Sequence, residues 1–104
     1  MVTELESRFD EAMMLIYVRA KNAAKYAANR YLQMLHDKRG LDTARTLVLA
    51  ENPSDGYTAL WERKRLDLTV EALVLQPEWL PLFDQEPGLL ARARSRLIEY
   101  EYKF

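Results

Sequence analysis

The chain has no cysteine, no long apolar run and few residues that break helices, with three glycines and four prolines among its 104 residues. The missing cysteines exclude disulfides, thiol catalysis and cysteine-ligated metal sites, and they fit a reducing compartment. A membrane-spanning helix needs about 20 mostly apolar residues, and no such run is present. The first residues, MVTELESRFDEAMM, also lack the basic start and apolar core of a secretory signal. These absences predict a cytoplasmic protein without a membrane partner.

Neither sign of charge dominates the chain. Fifteen basic and sixteen acidic residues give a formal net charge of -1, so no overall field draws the protein toward nucleic acid or an anionic membrane. The hydrophobic share of 49% and the charged share of 30% are typical of a globular protein. The length suits one domain with one core, and we expect residues 1–104 to form it.

The longest stretch without glycine or proline runs from Val2 to Arg39. Thr3 and Glu6 have the spacing of a capping box, and apolar residues then recur at steps of three and four. The pattern predicts one long helix over 3–39, or two helices in line with a break near 19–22, ended by Gly40. The alanine-rich part, 20–28, would let a second helix pack closely, which predicts a homodimer.

Shorter helices are predicted for the rest of the chain, at residues 41–50, 57–64, 66–75 and 84–100. The turn cluster ENPSDG separates the first two, and the prolines of PEWLP bracket a tight corner before the last. The predicted fold is therefore all-α, a single domain of five or six helices. Its spine is 3–39, and the short helices of 41–100 pack on it.

The most apolar run, RLDLTVEALVL, carries a glutamate in its middle. Its first part alternates like a strand, but the alternation fails at 73–75, and a lone strand would have no partner. As a helix, the run has an apolar face, Asp67 as N-cap and Pro77 just past its end. The helix is the better interpretation.

Glu71 then lies at the edge of the apolar face of that helix, or inside it. One hypothesis is a metal or acid/base site formed by Glu71 and Asp67. The favoured one is structural, with Asp67 capping the helix and Glu71 paired with an arginine or a backbone amide. Two carboxylates without histidine support are a weak metal signal, so no metal, cofactor or catalytic residue is assigned. The single histidine, His36, has no nucleophile at a suggestive spacing.

Two basic runs allow a second functional class, that of proteins associated with nucleic acid. One run begins at the end of the third predicted helix and the other lies on the last helix. Their candidate phosphate contacts are Arg63, Lys64, Arg65, Arg92 and Arg96. Acidic residues flank both runs, which is typical of a solvated surface. Nucleic acid is therefore the alternative and not the first choice.

The aromatic residues indicate a core position and a surface. Trp61 shares a short helix with apolar neighbours and is expected in the core. The proline-framed corner holds Trp79, Leu80, Leu82 and Phe83. The favoured interpretation is that they close the bottom of the core, and the alternative is that a small domain does not cover them all. If they are exposed, they form the candidate surface for a protein partner.

The stretch PSDGYTALWERKRLDLTVEALVL, followed by LFDQE and ARSRL, resembles a family of small uncharacterised bacterial proteins without an assigned activity. That family has a Ser-Asp-Gly turn, an aromatic-Thr-x-Leu-Trp-Glu helix and a Leu-Asp-Leu-Thr-x-Glu-Ala helix, and the similarity covers residues 40–100. The resemblance implies one structural unit built from Ser54, Asp55, Gly56, Trp61, Asp67 and Glu71. It implies no catalytic residue.

Together these features favour a small non-catalytic interaction or regulatory module of a bacterial cytoplasm, which acts through protein–protein contacts. The alternatives are a nucleic-acid-associated protein and a small enzyme or inhibitor that uses Asp67 and Glu71. A continuous positive surface would favour the first alternative. A concave pocket containing both carboxylates would favour the second.

Overall fold

The computed structural model describes residues 3–103, and within them every regular element is helical. The helices are α1 (Glu4–Ala23), α2 (Asn29–Leu49), α3 (Asp55–Glu62), α4 (Val70–Val74), α5 (Leu80–Phe83) and α6 (Pro87–Glu99), with 3₁₀ turns at Leu66–Leu68 and Pro77–Trp79. Thr3 caps α1 as predicted, accepting a hydrogen bond from the Glu6 amide; Val2, the predicted start of the stretch, lies outside the described residues. The predicted all-α single domain is confirmed.

The long N-terminal stretch is a helical hairpin, so the predicted single helix or in-line pair is wrong. The Tyr31 hydroxyl donates to the Met13 carbonyl at 2.7 Å, and the Gly40 amide donates to the Asp10 carboxylate at 2.8 Å. Later residues of α2 therefore contact earlier residues of α1, so the two helices run antiparallel. The hairpin wins because it buries the apolar faces of both helices against each other, which a straight helix cannot do.

The bend inside α2 lies at Arg39, where φ is 67° and ψ is 179°. The Asp10 carboxylate receives the Gly40 amide and also pairs with the Arg39 guanidinium. A Cβ on Gly40 would lie 2.8 Å from the Asp10 Oδ1 and 3.1 Å from the Phe9 ring. The first helical segment of α2 thus ends at Arg39, next to the predicted stop at Gly40, and a second segment, predicted as 41–50, continues to Leu49. Gly40 also lets α2 approach α1, while the left-handed backbone falls on Arg39.

The run with the central glutamate is a 3₁₀ turn followed by the short helix α4. Thr69 caps α4: its hydroxyl donates to the Leu66 carbonyl at 2.7 Å and accepts from the Ala72 amide at 3.2 Å. Asp67, the predicted cap, is exposed and pairs with Arg65 at 3.1 Å. A helix start at Thr69 leaves Leu66 and Leu68 free to bury against two separate parts of the interior.

Trp79 lies in the core, while Trp61, also expected there, does not. Trp79 is 3% exposed, and its ring packs edge-on against the Phe9 ring with 5.3 Å between the centroids. Phe83 also packs against the Phe9 ring, with 5.5 Å between the centroids. Trp61 is 45% exposed and leans on Tyr100 at 5.3 Å. The reason is that α3 turns Tyr57 and Leu60 inward, which leaves Trp61 at the border of the buried face.

Candidate functional site

A cleft of about 850 Å³ lies between α1, α2, α3 and α4. Four of the six tyrosines line it: Tyr17, Tyr26, Tyr31 and Tyr57. Clefts of this volume are the usual size of ligand sites, and they combine apolar walls with a few polar groups. We refer to this feature as the tyrosine cleft.

Small residues keep the tyrosine cleft open. Ala20, Ala28, Ala50 and Gly56 all lie on its walls. A Cβ on Gly56 would meet the Tyr26 ring at 3.7 Å, an ordinary contact, so that ring lies directly over the start of α3. The alanine-rich stretch that predicted close helix packing thus contributes Ala20 and Ala28 to a cleft wall.

A buried ion pair lies beneath the tyrosine cleft. Glu71, which lines the cleft, is 3% exposed and accepts a hydrogen bond at 2.9 Å from Arg96, which is 6% exposed. The Arg96 guanidinium also donates to the carbonyls of Leu47 at 3.1 Å and Ala50 at 2.6 Å. One arginine thus joins α4 and α6 to the C-terminal end of α2, where free carbonyls need donors.

Tyr57 adds α3 to this network, because its buried hydroxyl donates to the Arg96 backbone carbonyl at 3.1 Å. Burial raises the pKa of the Tyr57 phenol, and burial likewise raises the pKa of Tyr31. Both phenols are therefore neutral at physiological pH. Their hydroxyls are held by backbone carbonyls, so these two side chains are fixed parts of the cleft.

Burial also raises the pKa of Glu71, while the hydrogen bond from Arg96 acts in the opposite direction. An ionised carboxylate is costly to bury, and a single charged donor does not fully offset that cost. Of the two kinds of partner that the sequence allowed for Glu71, the structure provides the arginine.

The two carboxylates proposed from the sequence as an acid/base or metal pair do not meet in one pocket. Glu71 lines the tyrosine cleft and Asp67 does not, since its carboxylate lies at the surface beside Arg65. Within residues 3–103, no three His, Asp or Glu side chains converge in a way that could hold a metal ion. His36 is exposed and lies beside Asp37, with 3.4 Å between the Nδ1 and Oδ1 atoms.

Most of the basic residues proposed for nucleic acid contact acceptors within the chain. Arg63 donates to the carbonyls of Ala24 and Ala59, each at 2.9 Å, and it lies over the Tyr26 ring. Arg96 is buried and so is not a surface contact. Arg65 pairs with Asp67, and Arg92 reaches the Ala50 carbonyl at 3.4 Å. Lys64 is exposed in the turn after α3.

The proposed partner surface is only partly exposed. Trp79 and Phe83 belong to the core, which corrects their assignment to a partner, while Leu80 is exposed and Leu82 is half-buried. The Ser54 hydroxyl accepts from the Tyr57 amide at 3.1 Å, so the Ser-Asp-Gly turn starts α3, and Asp55 and Gly56 line the tyrosine cleft.

Sequence reasoning missed the tyrosine cleft because its opposing walls come from the unpredicted hairpin. Tyr17 on α1 and Tyr31 on α2 meet across one cavity only once the chain reverses between them. The usable signal was the number of tyrosines in a chain with few other aromatic residues: six, against three phenylalanines and two tryptophans.

No family model, no curated protein and no solved structure matches this chain. The resemblance to a bacterial family therefore stays a prediction. Within residues 3–103, no helix has both the length and the apolar character needed to cross a membrane.

Proposed function

We propose that this protein is a non-catalytic interaction module that binds a segment of a partner protein in the tyrosine cleft. The observation that carries the proposal is the cleft itself, about 850 Å³ in volume and lined by four tyrosines. Tyrosine is enriched at protein interfaces because a large, rigid ring gives contact area at little entropic cost, and its hydroxyl tolerates water.

The charges in and under the tyrosine cleft favour a neutral segment. Glu71 and Arg96 neutralise each other beneath it, and the exposed Arg30 and Asp55 on its walls carry opposite charges. The Glu71 carboxylate is occupied by its arginine, so it supports the cleft and is not free to act as a reagent. A segment with aromatic or branched apolar side chains and little net charge suits this lining.

The setting that we propose is a bacterial cytoplasm. It follows from the sequence resemblance and fits the lack of cysteine. Self-association is a second part of the proposal, because α1 carries exposed apolar side chains on the side away from the cleft.

The binding proposal is tested with a displayed library of random 12-residue peptides selected on the wild-type protein. Ala28→Trp fills the tyrosine cleft from its wall, since Ala28 lines it. Ala23→Trp is the matched control, because Ala23 is exposed at the end of α1 and is not among the cleft-lining residues. Circular dichroism melts of both variants show that each is folded.

We expect the selected peptides to be nearly neutral and rich in aromatic and branched residues. Their affinity for the Ala23→Trp control should equal their affinity for wild type. Their affinity for Ala28→Trp should be at least about tenfold lower. Peptides that bind Ala28→Trp and wild type equally would place binding outside the cleft. A library that yields no retained peptide would equally contradict the proposal.

A further inference from the structure

The outer face of α1 carries three large apolar side chains with high exposure. Met14 is 40% exposed, Leu15 46% and Val18 40%. Met14 and Val18 are one helical turn apart, so they lie in one stripe along the helix, with Leu15 beside it. Of the α1 residues that line the tyrosine cleft, Ile16 and Ala20 lie on the opposite side of the helix, and Tyr17 lies one turn after Met14 at the edge of the stripe.

Opposite charges flank this apolar stripe. Glu11 lies one turn before Met14, and Lys21 lies one turn after Val18, with Glu4 further toward the N-terminus. All of these side chains are exposed. Glu11, Met14, Val18 and Lys21 follow each other at steps of three and four, the spacing of a helix–helix seam.

We propose that two copies of the chain pair through this stripe, with their α1 helices antiparallel and the two-fold axis crossing the stripe midway between Met14 and Val18. In that register Met14 packs against the partner's Val18, and Glu11 pairs with the partner's Lys21. Each contact occurs twice, as a two-fold axis requires. Leu15 of both copies lies near the axis.

The charges select the antiparallel arrangement. A parallel pair would set Glu11 against Glu11 of the partner subunit and Lys21 against Lys21 of the partner subunit, which is repulsive at both ends. The surface also differs from the alanine-rich patch predicted from the sequence. Ala20 and Ala24 are buried within the chain, and residues 24–28 are not helical.

One helix pair gives a small interface, so the dimer should be weak. Interfaces below roughly 1,200 Å² belong to transient complexes. We expect dissociation in the range of roughly 10–100 µM, with weaker association at high salt because the ion pairs are exposed. The inference rests on the self-association in the proposed function and not on what the tyrosine cleft binds.

Sedimentation equilibrium on the full chain, from about 5 to 500 µM, tests the pairing and its register. Glu11→Lys and Lys21→Glu each turn both intersubunit attractions into repulsions and should weaken the dimer by about tenfold. The double variant Glu11→Lys/Lys21→Glu should return close to wild type, because the charges are exchanged and stay complementary. Val18→Glu should give a monomer throughout.

The controls separate register from net charge. Glu62→Lys makes the same charge change on the exposed face of α3 and should leave the dimer intact. An equimolar mixture of Glu11→Lys and Lys21→Glu should form a heterodimer more tightly than either variant forms a homodimer. A wild-type monomer at 500 µM would overturn the proposal. A double variant as weak as the single ones would overturn the antiparallel register.

Discussion

Replacing Arg96 with methionine should damage this protein more than most single substitutions. Methionine keeps much of the length of the side chain and removes all of its donors. Three acceptors then lose their hydrogen bond: the Glu71 carboxylate at 2.9 Å and the carbonyls of Leu47 at 3.1 Å and Ala50 at 2.6 Å. Two of these are the last carbonyls of α2, so the loss reaches beyond the ion pair.

The magnitude of the loss can be worked from these contacts. Without Arg96 the buried Glu71 must stay charged and unpaired, at about 3–5 kcal/mol, or take up a proton. From its ordinary pKa of 4.5, protonation at pH 7 costs about 3.4 kcal/mol, at about 1.36 kcal/mol per pH unit. Each carbonyl left without a donor adds about 1 kcal/mol. We expect Arg96→Met to lose about 5 kcal/mol, the cheaper of the two routes for Glu71 plus the two carbonyls.

The stability loss of Arg96→Met should also depend on pH, because the buried carboxylate of Glu71 can take up a proton. Burial raises the pKa of Glu71 in the folded state above its unfolded value. The stability linked to this group is thus fully present below the unfolded pKa and is lost as the pH rises through the folded pKa. Removing Arg96 raises the folded pKa further, so the defect of Arg96→Met should shrink as the pH falls from 7 toward 4.5.

Urea unfolding at pH 7 and pH 5 measures both effects. Arg92→Met is the matched control, because Arg92 lies one turn earlier on α6 and makes only a 3.4 Å contact with the Ala50 carbonyl; it should change stability by less than about 0.5 kcal/mol. Glu71→Gln leaves the buried Arg96 charge without a counterion but keeps an acceptor and the two carbonyls for its donors, so it should lose stability, and less than Arg96→Met does. A loss below about 1 kcal/mol for Arg96→Met, or a defect that does not change with pH, would refute the reasoning.

Glycine should be the most stable residue at two backbone positions, so that removing it at one and introducing it at the other have opposite effects on stability. Gly40→Ala should lose about 1–3 kcal/mol in thermal melts although alanine is the better helix former, because its Cβ would lie 2.8 Å from the Asp10 carboxylate; unchanged stability would show that α1 and α2 can move apart freely. Lys64→Gly should gain about 0.5–1 kcal/mol in the same assay, because Lys64 has a φ of 59° in the turn that ends α3, a conformation that favours glycine. A loss at Lys64 would contradict that account of the turn.

The helical content of this protein could be predicted because it depends on local signals. Steps of three and four between apolar residues and the Thr3 cap are visible in the sequence and present in α1. The pairing of Glu71 with an arginine followed from the same logic, since a carboxylate on an apolar helix face needs a charged donor. Which arginine it would be was not predictable, because Arg96 lies on a helix brought near only by the fold.

The hairpin could not be predicted because no sequence signal marks its turn. No glycine or proline lies between 2 and 39, and the residue that takes the left-handed backbone after α1 is Lys25, with a φ of 57°. The chain reverses there because the reversal brings Tyr31 into contact with Met13 and Gly40 into contact with Asp10. Such contacts between distant residues outweigh a continuous helical pattern.

The exposed position of Trp61 was not predictable for a related reason. The proline-framed corner with Trp79 lies against Phe9 of α1. Trp61 was expected in the core because Tyr57 and Leu60 share its helix, yet it has the more exposed position in space. For a short helix such as α3, the buried face is chosen by the neighbouring helices, and one residue of rotation decides whether a tryptophan is covered.

The placement of the strongest polar contacts explains how a protein this small can keep a large open cleft. Arg96 joins α2, α4 and α6 directly beneath the cleft, and Tyr57 ties α3 to the same point. The far wall is fixed separately, where Arg63 holds the Ala24 carbonyl and covers Tyr26. Because the elements around the cleft are joined at its base and rim, its walls need not touch each other in the middle. Small residues and tyrosines can then line a cavity instead of filling the core, which is the arrangement that a binding protein requires.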